Sequence, residues 1–480
     1  MLYDLIVIGS GPAGQKAALQ GARAGKRVAI VDDLPMLGGG CLHWGTMPSK
    51  SFRESVYRWS LSSRGTLGRE SEELAGITKR KFALPDMKRL LRRKERVVDG
   101  EAHVIRERFE AHGIRVYPGR ARLLSAHDVE VRCNAGAHAG EVQKIAGSTI
   151  IIATGARPVS KFEVDGQAVH DSNTILSLKR VPKTIIVLGA GIIGCEYASM
   201  FSTAGTKVTL VDRRNEILAS VDREIVAHLQ GRFEQQEMQI VLEAEAVKIE
   251  KLAAGRGVVV HLNNGRKLKA EAVLLAQGRH GNTQDLGLEN VGVRPDERGL
   301  LKVDENFRTS QPNIYAVGDV IGSPALASTS MEQGRIAACH AFRIEDGREL
   351  YRMPEIYPYG IYTIPEISMV GRTEEDCRAD KSIEIVVGRA QYREVGRGQI
   401  VGDRWGLLKM IFDRRSLRIL GVHIVGDNAA ELVHIGQAVM QLEGDLYYFI
   451  NSVFNYPTLA EAYKLAAMDA LNQIRKDSRG

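Results

Sequence analysis

The chain has 480 residues, 44% of them hydrophobic and 26% charged, which at about 150 residues per domain leaves room for roughly three domains with real cores and excludes a mainly disordered chain. No stretch approaches the ~20 apolar residues of a membrane helix, so no membrane association is expected. The net charge of +7 suits phosphate-bearing ligands without identifying one, and the five cysteines, Cys41, Cys133, Cys195, Cys339 and Cys377, are too few and too dispersed for a disulfide framework or a zinc site.

Met1-Leu2-Tyr3-Asp4 runs toward a glycine turn without the basic n-region or long apolar h-region of a secretory signal, which predicts a cytoplasmic protein. Ile6-Val7-Ile8 then meets Gly9-Ser10-Gly11-Pro12-Ala13-Gly14, and a second apolar strand, Val28 to Val31, ends in Asp32. Residues 45 to about 112 read as helical and strongly basic. Lys79, Arg80, Lys81, Lys88, Arg89, Arg92, Arg93, Lys94 and Arg96 crowd together, while Leu84, Met87, Leu91 and Val98 are expected on an inward face. A solvated helix face is the preferred reading. Nucleic-acid binding is not expected, because interleaved aromatics are nearly absent and no reading motif accompanies the charge.

Ile150-Ile151-Ile152-Ala153-Thr154-Gly155 closes this first unit, and the pattern then repeats. Ile186-Val187-Leu188 meets Gly189-Ala190-Gly191-Ile192-Ile193-Gly194, Val208 to Val211 ends in Asp212, and Val273-Leu274-Leu275-Ala276-Gln277-Gly278 closes the second unit. Both acids stand 23 positions beyond the first glycine of their turn (32 − 9 and 212 − 189). Strand, tight glycine turn, helix and acid-terminated strand make the unit that binds a dinucleotide. The glycines allow close backbone approach, the helix N-terminus faces the pyrophosphate, and the acid accepts from a ribose diol. A glycine turn that merely packs a helix on a sheet would have to arise twice with every part in register.

Tyr315-Ala316-Val317-Gly318-Asp319 predicts a strand that delivers Asp319 to the ribityl chain of a flavin, with the positive end of a helix from about Ser328 to His340 aimed at the ring system. From about residue 355 the texture changes: alternating strands such as Leu407 to Phe412 and Ile419 to Val425 precede helices near Ala429 to Gln441 and Leu459 to Ile474. Two dinucleotide sites imply an oxidoreductase holding FAD at the N-terminal turn and exchanging a nicotinamide coenzyme at the internal one. The expected architecture is α/β: two Rossmann-like dinucleotide-binding domains, one for FAD (1–155 and 283–350) and one for NAD(P) (156–282), plus a C-terminal α+β domain (351–480).

At this point the chain resembles the flavoprotein pyridine nucleotide–disulfide oxidoreductases, nearly end to end. That family carries two cysteines separated by four residues beside the flavin. Here the segment reads GGGCLHWGTMPSK, so Cys41 is present but the second position is Thr46. A threonine hydroxyl neither forms a disulfide nor relays electrons. The family's C-terminal His-Pro, which serves the thiol as a base, is Tyr456-Pro457 in FNYPTLAEAY. Together with YAVGDVIG and GIYTIPEIS, these segments are similar to the transhydrogenase branch of the family. The resemblance implies hydride exchange between NAD and NADP coenzymes through flavin N5 in a ping-pong cycle, and a homodimer or larger assembly built through the last domain.

By motif match, Gly9, Gly11, Gly14, Asp32, Cys41, Thr46, Lys50, Thr154, Gly155 and Asp319 are expected at the flavin, and Gly189, Gly191, Gly194, Glu196, Asp212, Arg213, Arg214 and Gly278 at the nicotinamide coenzyme. The resemblance places Lys50 near N5 with Glu196 as its ion-pair partner; an ordinary helix ion pair is the bland alternative. Cys41 and Cys195 are expected as packed thiols, and His43 and Trp44 carry no assigned role. Asp212 favours a free 2′-hydroxyl, while Arg213 and Arg214 suit a 2′-phosphate unless they are simply exposed loop arginines. The rivals are a diaphorase that reduces a quinone or dioxygen, a redox-sensing coenzyme-binding protein and, more distantly, a disulfide reductase.

Overall fold

A computed structural model describes residues 2–32, 37–64, 84–252, 257–344 and 352–477. Strand Leu2–Ile8 lies between Val28–Asp32 and Val142–Ile152, parallel to both, and Ile314–Ala316 continues the parallel sheet beyond Val142–Ile152. On the other edge Arg115–Leu123 joins Val28–Asp32, then turns into an antiparallel meander through Asp128–Cys133. Leu5, Ile6, Val7, Ile30 and Ile151 are wholly buried, because helices cover one face of the parallel part and further chain covers the other. That is why these strands read as continuous apolar runs rather than alternating ones.

The second sheet repeats the plan, in the order Gln239–Val241, Lys207–Val211, Thr184–Leu188, Ala272–Leu275, Val169–Asp171, all parallel. Its meander, Ala246–Lys251, Val258–Leu262 and Lys267–Ala270, forms a separate three-stranded antiparallel sheet. Two short strands, Ala156–Pro158 and Arg279–Gly281, pair antiparallel where the chain passes between the two sheets. The C-terminal part is an antiparallel sheet ordered Tyr359–Ile361, Glu366–Gly371, Ile419–Gly426, Leu407–Asp413, Ile385–Gln391, packed against Ala429–Gln441 and Glu461–Asp477.

The basic segment contains the helices Thr46–Arg64 and Met87–Ala111. Lys79, Arg80 and Lys81 lie outside the described residues. The inward stripe of the second helix is Met87, Leu90, Val98, Ala102, Ile105 and Phe109. Leu90 therefore takes the buried position expected of Leu91, which packs at the margin.

A buried charge cluster fastens the second nucleotide unit to the C-terminal sheet. The Lys409 ammonium, only 1% exposed, lies 2.9 Å from Asp222 Oδ1, 3.0 Å from Glu224 Oε2 and 2.6 Å from Glu374 Oε2. Asp222 also caps helix Arg223–Gln235, and Arg389 Nε donates to Glu224 at 2.7 Å. Burial alone would raise all three carboxyls. Hydrogen bonds from Lys409, joined by Arg389 at Glu224, outweigh it and hold them below the usual carboxylate range.

Candidate active site

A cavity of about 1210 Å³ runs between the two nucleotide units and reaches the C-terminal part at Tyr359 and Tyr362. Each glycine turn opens onto it for a steric reason. At Gly9, with φ +105°, a Cβ would stand 2.3 Å from the Ala153 carbonyl oxygen, and at Gly14 it would stand 1.9 Å from the Gly9 oxygen. Only the absence of both side chains lets helix Pro12–Arg23 begin directly over the strand. Gly189 (φ +111°) and Gly194 repeat this, at 2.2 Å from the Ala276 oxygen and 1.8 Å from the Gly189 oxygen. Gly11 and Gly191 are the N-caps of the two helices, with no side-chain cap. The first N–H groups of each helix are thus left for an anion.

The two acids are placed differently. Asp32 Oδ2 accepts from the backbone N–H of Ser10 at 2.7 Å and from the Ser10 hydroxyl, and that hydroxyl in turn accepts from Gly38 N–H at 2.9 Å. Asp212 accepts from Ala190 N–H at 2.6 Å and is chelated by Arg214, from Nε at 3.1 Å and Nη2 at 3.0 Å, as well as from the Arg214 backbone N–H at 2.9 Å. Arg213 is exposed.

Between the turns, Lys50 Nζ donates to both Glu196 oxygens, at 2.9 and 2.7 Å, although the residues are 146 positions apart. The Lys50 side chain is 27% exposed and that of Glu196 4%. Tyr362 N–H donates to Glu196 Oε1 at 2.8 Å, and the Tyr362 ring lies 5.1 Å from the ammonium. Cys41, a free thiol on the short helix Gly39–His43, is paired with the Thr46 hydroxyl. Burial pushes the thiol up, and the Thr46 hydrogen bond only partly offsets this, which disfavours the thiolate. Cys195 is buried against the Ala190 carbonyl and is likewise raised by burial. Trp44 lines the cavity, and the His43 ring bonds the Leu37 carbonyl at 3.1 Å.

Asp319 sits in a 3₁₀ turn, Gly318–Ile321, and burial raises its carboxyl above the usual range. Helix Ala327–Phe342 follows, its first turn on the cavity wall and its N-cap, Leu326, without a side-chain bond. Thr154, Gly155 and Gly278 also line the cavity. Sequence reasoning missed Arg279: its Nη2 lies 4.0 Å from Asp319 Oδ2 and also donates to the Ala156 carbonyl. The only available signal was a cation directly after Gly278 at a crossover, with nothing nearby in sequence to pair it.

Thr154 Oγ1, Arg279 Nε and the Tyr197 hydroxyl are buried without a hydrogen-bond partner, and all three residues line this cavity. Buried polar groups are rarely left so. A long polar ligand seated in this cavity would lie beside them, and the glycine cradle, the uncapped helix ends and Asp319 fit FAD. Among the described residues no cluster suits a metal ion, and no helix is long and apolar enough to cross a membrane.

The family profile described as pyridine nucleotide-disulphide oxidoreductase matches residues 3–334, and the profile of that family's dimerisation domain matches 357–467. The chain belongs to the pyridine nucleotide-disulphide oxidoreductase family. Within it, the chain is 43% identical over 477 residues to the soluble pyridine nucleotide transhydrogenase of Photorhabdus laumondii, covering 98% of this chain and 99% of that one. The protein of the same name from Pseudomonas putida KT2440 is also 43% identical, with the same coverage. Among solved structures, the chain resembles the HOCl-induced flavoprotein disulfide reductase RclA from Escherichia coli, with a TM-score of 0.85 and 28% identity over 97% of this chain and 99% of that one. It resembles LpdA from Mycobacterium tuberculosis with the same TM-score and coverage at 26% identity. Both glycine turns lie within the residues matched by the oxidoreductase profile.

Proposed function

We propose that the protein is an FAD-dependent NAD(P)+ transhydrogenase that moves hydride between NADPH/NADP+ and NAD+/NADH in a ping-pong cycle, as a homodimer or larger homo-oligomer in the cytoplasm. The observation that carries this reading is Thr46 at the position of a second thiol, hydrogen-bonded to Cys41, while the Lys50–Glu196 pair is kept. The shared name of the relatives from Photorhabdus and Pseudomonas supports the same activity. When bound, FAD supplies a two-electron carrier that takes hydride from one nicotinamide and returns it to another.

The protein's own part is to bind, orient and polarise. The turn at Gly9, Gly11 and Gly14, with Asp32, Thr154, Gly155, Arg279 and Asp319, holds the flavin dinucleotide. The turn at Gly189, Gly191 and Gly194, with Asp212, Arg213, Arg214 and Gly278, admits one nicotinamide coenzyme at a time. Glu196, anchored by Tyr362 N–H, fixes the Lys50 ammonium at the cavity wall, where its charge favours the arrival of a negatively charged hydride equivalent. One hydride moves from NADPH to NAD+, giving NADP+ and NADH, with no net proton exchanged. Thr46 gives electrons no route to a disulfide substrate.

The test is anaerobic: reduce the purified enzyme with NADPH until the yellow colour bleaches, remove free nucleotide, and add a thio-nicotinamide analogue of NAD+. Return of the colour with reduction of the analogue, in the absence of any thiol, is the expected result. A flavin that stays bleached until a quinone or air is admitted would overturn the reading in favour of a diaphorase. Cys41→Ser is expected to leave turnover within about twofold of the parent, since the thiol is half-buried, held protonated and unpaired with sulfur. A tenfold or greater loss in steady-state rate would return sulfur to the mechanism.

A further inference from the structure

Asp212 and Arg214 are arranged in a way that neither residue type alone suggests. A carboxylate has about four acceptor positions, and Asp212 meets four donors: Ala190 N–H and Arg214 Nη2 on Oδ2, and Arg214 N–H and Nε on Oδ1. A ribose diol arriving at this acid finds it saturated. The Arg214 guanidinium, by contrast, is 43% exposed and spends only Nε and one Nη2 hydrogen on Asp212, so three of its five N–H bonds remain. It lies beside the coenzyme turn, with Nη2 3.9 Å from where a Gly191 Cβ would stand. The chelate also cancels the charge by which Asp212 would repel a phosphate.

Resting on the reading of this turn as the exchange-coenzyme site, we propose that Arg214 is a two-position gate that sets the choice between NAD and NADP coenzymes. With a 2′-phosphate, Arg214 stays on Asp212 and offers its free edge to the ligand. With a 2′-hydroxyl, Arg214 swings off and Asp212 accepts from the ribose diol. One pocket thus serves both coenzymes by moving one side chain, and the strength of the Asp212–Arg214 chelate decides between them.

Binding of the adenosine halves alone tests the gate without any hydride transfer. Calorimetry on the FAD-loaded enzyme measures 5′-ADP and 2′,5′-ADP against wild type, Arg214→Ala, Arg214→Lys and Asp212→Asn. Arg214→Ala is expected to weaken 2′,5′-ADP by about 10²-fold while 5′-ADP binds equally or up to about tenfold more tightly. Arg214→Lys keeps a point charge but no bidentate fork, so 2′,5′-ADP weakens by less than about tenfold and 5′-ADP again holds or gains. Asp212→Asn is expected to weaken 5′-ADP about tenfold and to leave 2′,5′-ADP unchanged or tighter. Equal losses for both probes in Arg214→Ala, or no change in either, overturn the gate and leave the transhydrogenase reading standing. Failure of the wild-type enzyme to bind either probe overturns both.

Discussion

Replacing Lys50 by methionine is expected to slow bleaching of the flavin by NADPH and by NADH about 10²-fold, the scale of removing one preorganised charge from a partly shielded site. The loss falls on both coenzymes because Lys50 faces the shared part of the cavity and not either ribose. Stability falls too. Glu196 is 4% exposed, and stripping its ammonium leaves a buried carboxylate with only Tyr362 N–H, at a cost of about 2 kcal/mol after discounting the part of Lys50 that water reaches. Lys50→Met combined with Glu196→Gln removes the orphaned charge. It is expected to recover most of the lost melting temperature while the rate stays low, which separates the electrostatic role from a folding role. Anaerobic stopped-flow and thermal melts read both quantities. A double variant with a restored rate, or a single variant within about threefold of the parent, would show the pair to be an ordinary structural bridge.

The two glycine turns yield opposite phenotypes when the same atom is added to each. Gly14→Ala sets a methyl 1.9 Å from the Gly9 oxygen, and Gly194→Ala sets one 1.8 Å from the Gly189 oxygen. Both clashes are backbone against backbone, where nothing yields cheaply. Overpacking of about 3 kcal/mol corresponds to about 10²-fold in affinity. Gly14→Ala is expected to purify colourless, or nearly so. Gly194→Ala is expected to keep a full complement of yellow cofactor yet bind NADH and NADPH at least about 10²-fold more weakly. Flavin absorbance per chain and coenzyme titration are the measurements. The reverse pattern, a colourless Gly194→Ala beside a yellow Gly14→Ala, would exchange the assignment of the two sites.

What was legible in the sequence was whatever short-range constraint dictates. A glycine that must tolerate positive φ, a strand buried on both faces and an acid a fixed distance downstream leave marks within about thirty residues, and these gave both nucleotide units. The helix expected near Ala429 to Gln441 is found at Ala429–Gln441, because its apolar period is bounded by Asn428 before it and by Glu443-Gly444 after it. The antiparallel meanders were not anticipated. Asp128–Cys133 is short and buries only alternate residues, and Ala246–Lys251 is mostly exposed and charged, so neither gives a continuous apolar run. The Asp212–Arg214 chelate was invisible for another reason: two residues that each suggest a ligand cancel when they bind one another, and only side-chain geometry distinguishes the cases. Arg279 and Asp319 stand 40 positions apart (319 − 279), and no local pattern joins them. The Lys50–Glu196 pair was anticipated only through family resemblance, since contacts between separate units have no sequence period.

The Lys409 knot constrains how traffic flows through the enzyme. To rock away from the sheet carrying Leu407–Asp413, the coenzyme-binding half would have to drag two carboxylates, Asp222 and Glu224, off a single shielded ammonium, a motion far costlier than rotating one surface guanidinium. The cleft therefore behaves as a corridor with fixed walls instead of a clam that opens and shuts. In the proposed cycle, a spent coenzyme would leave and its successor enter through a mouth that stays open, with only small adjustments at the threshold.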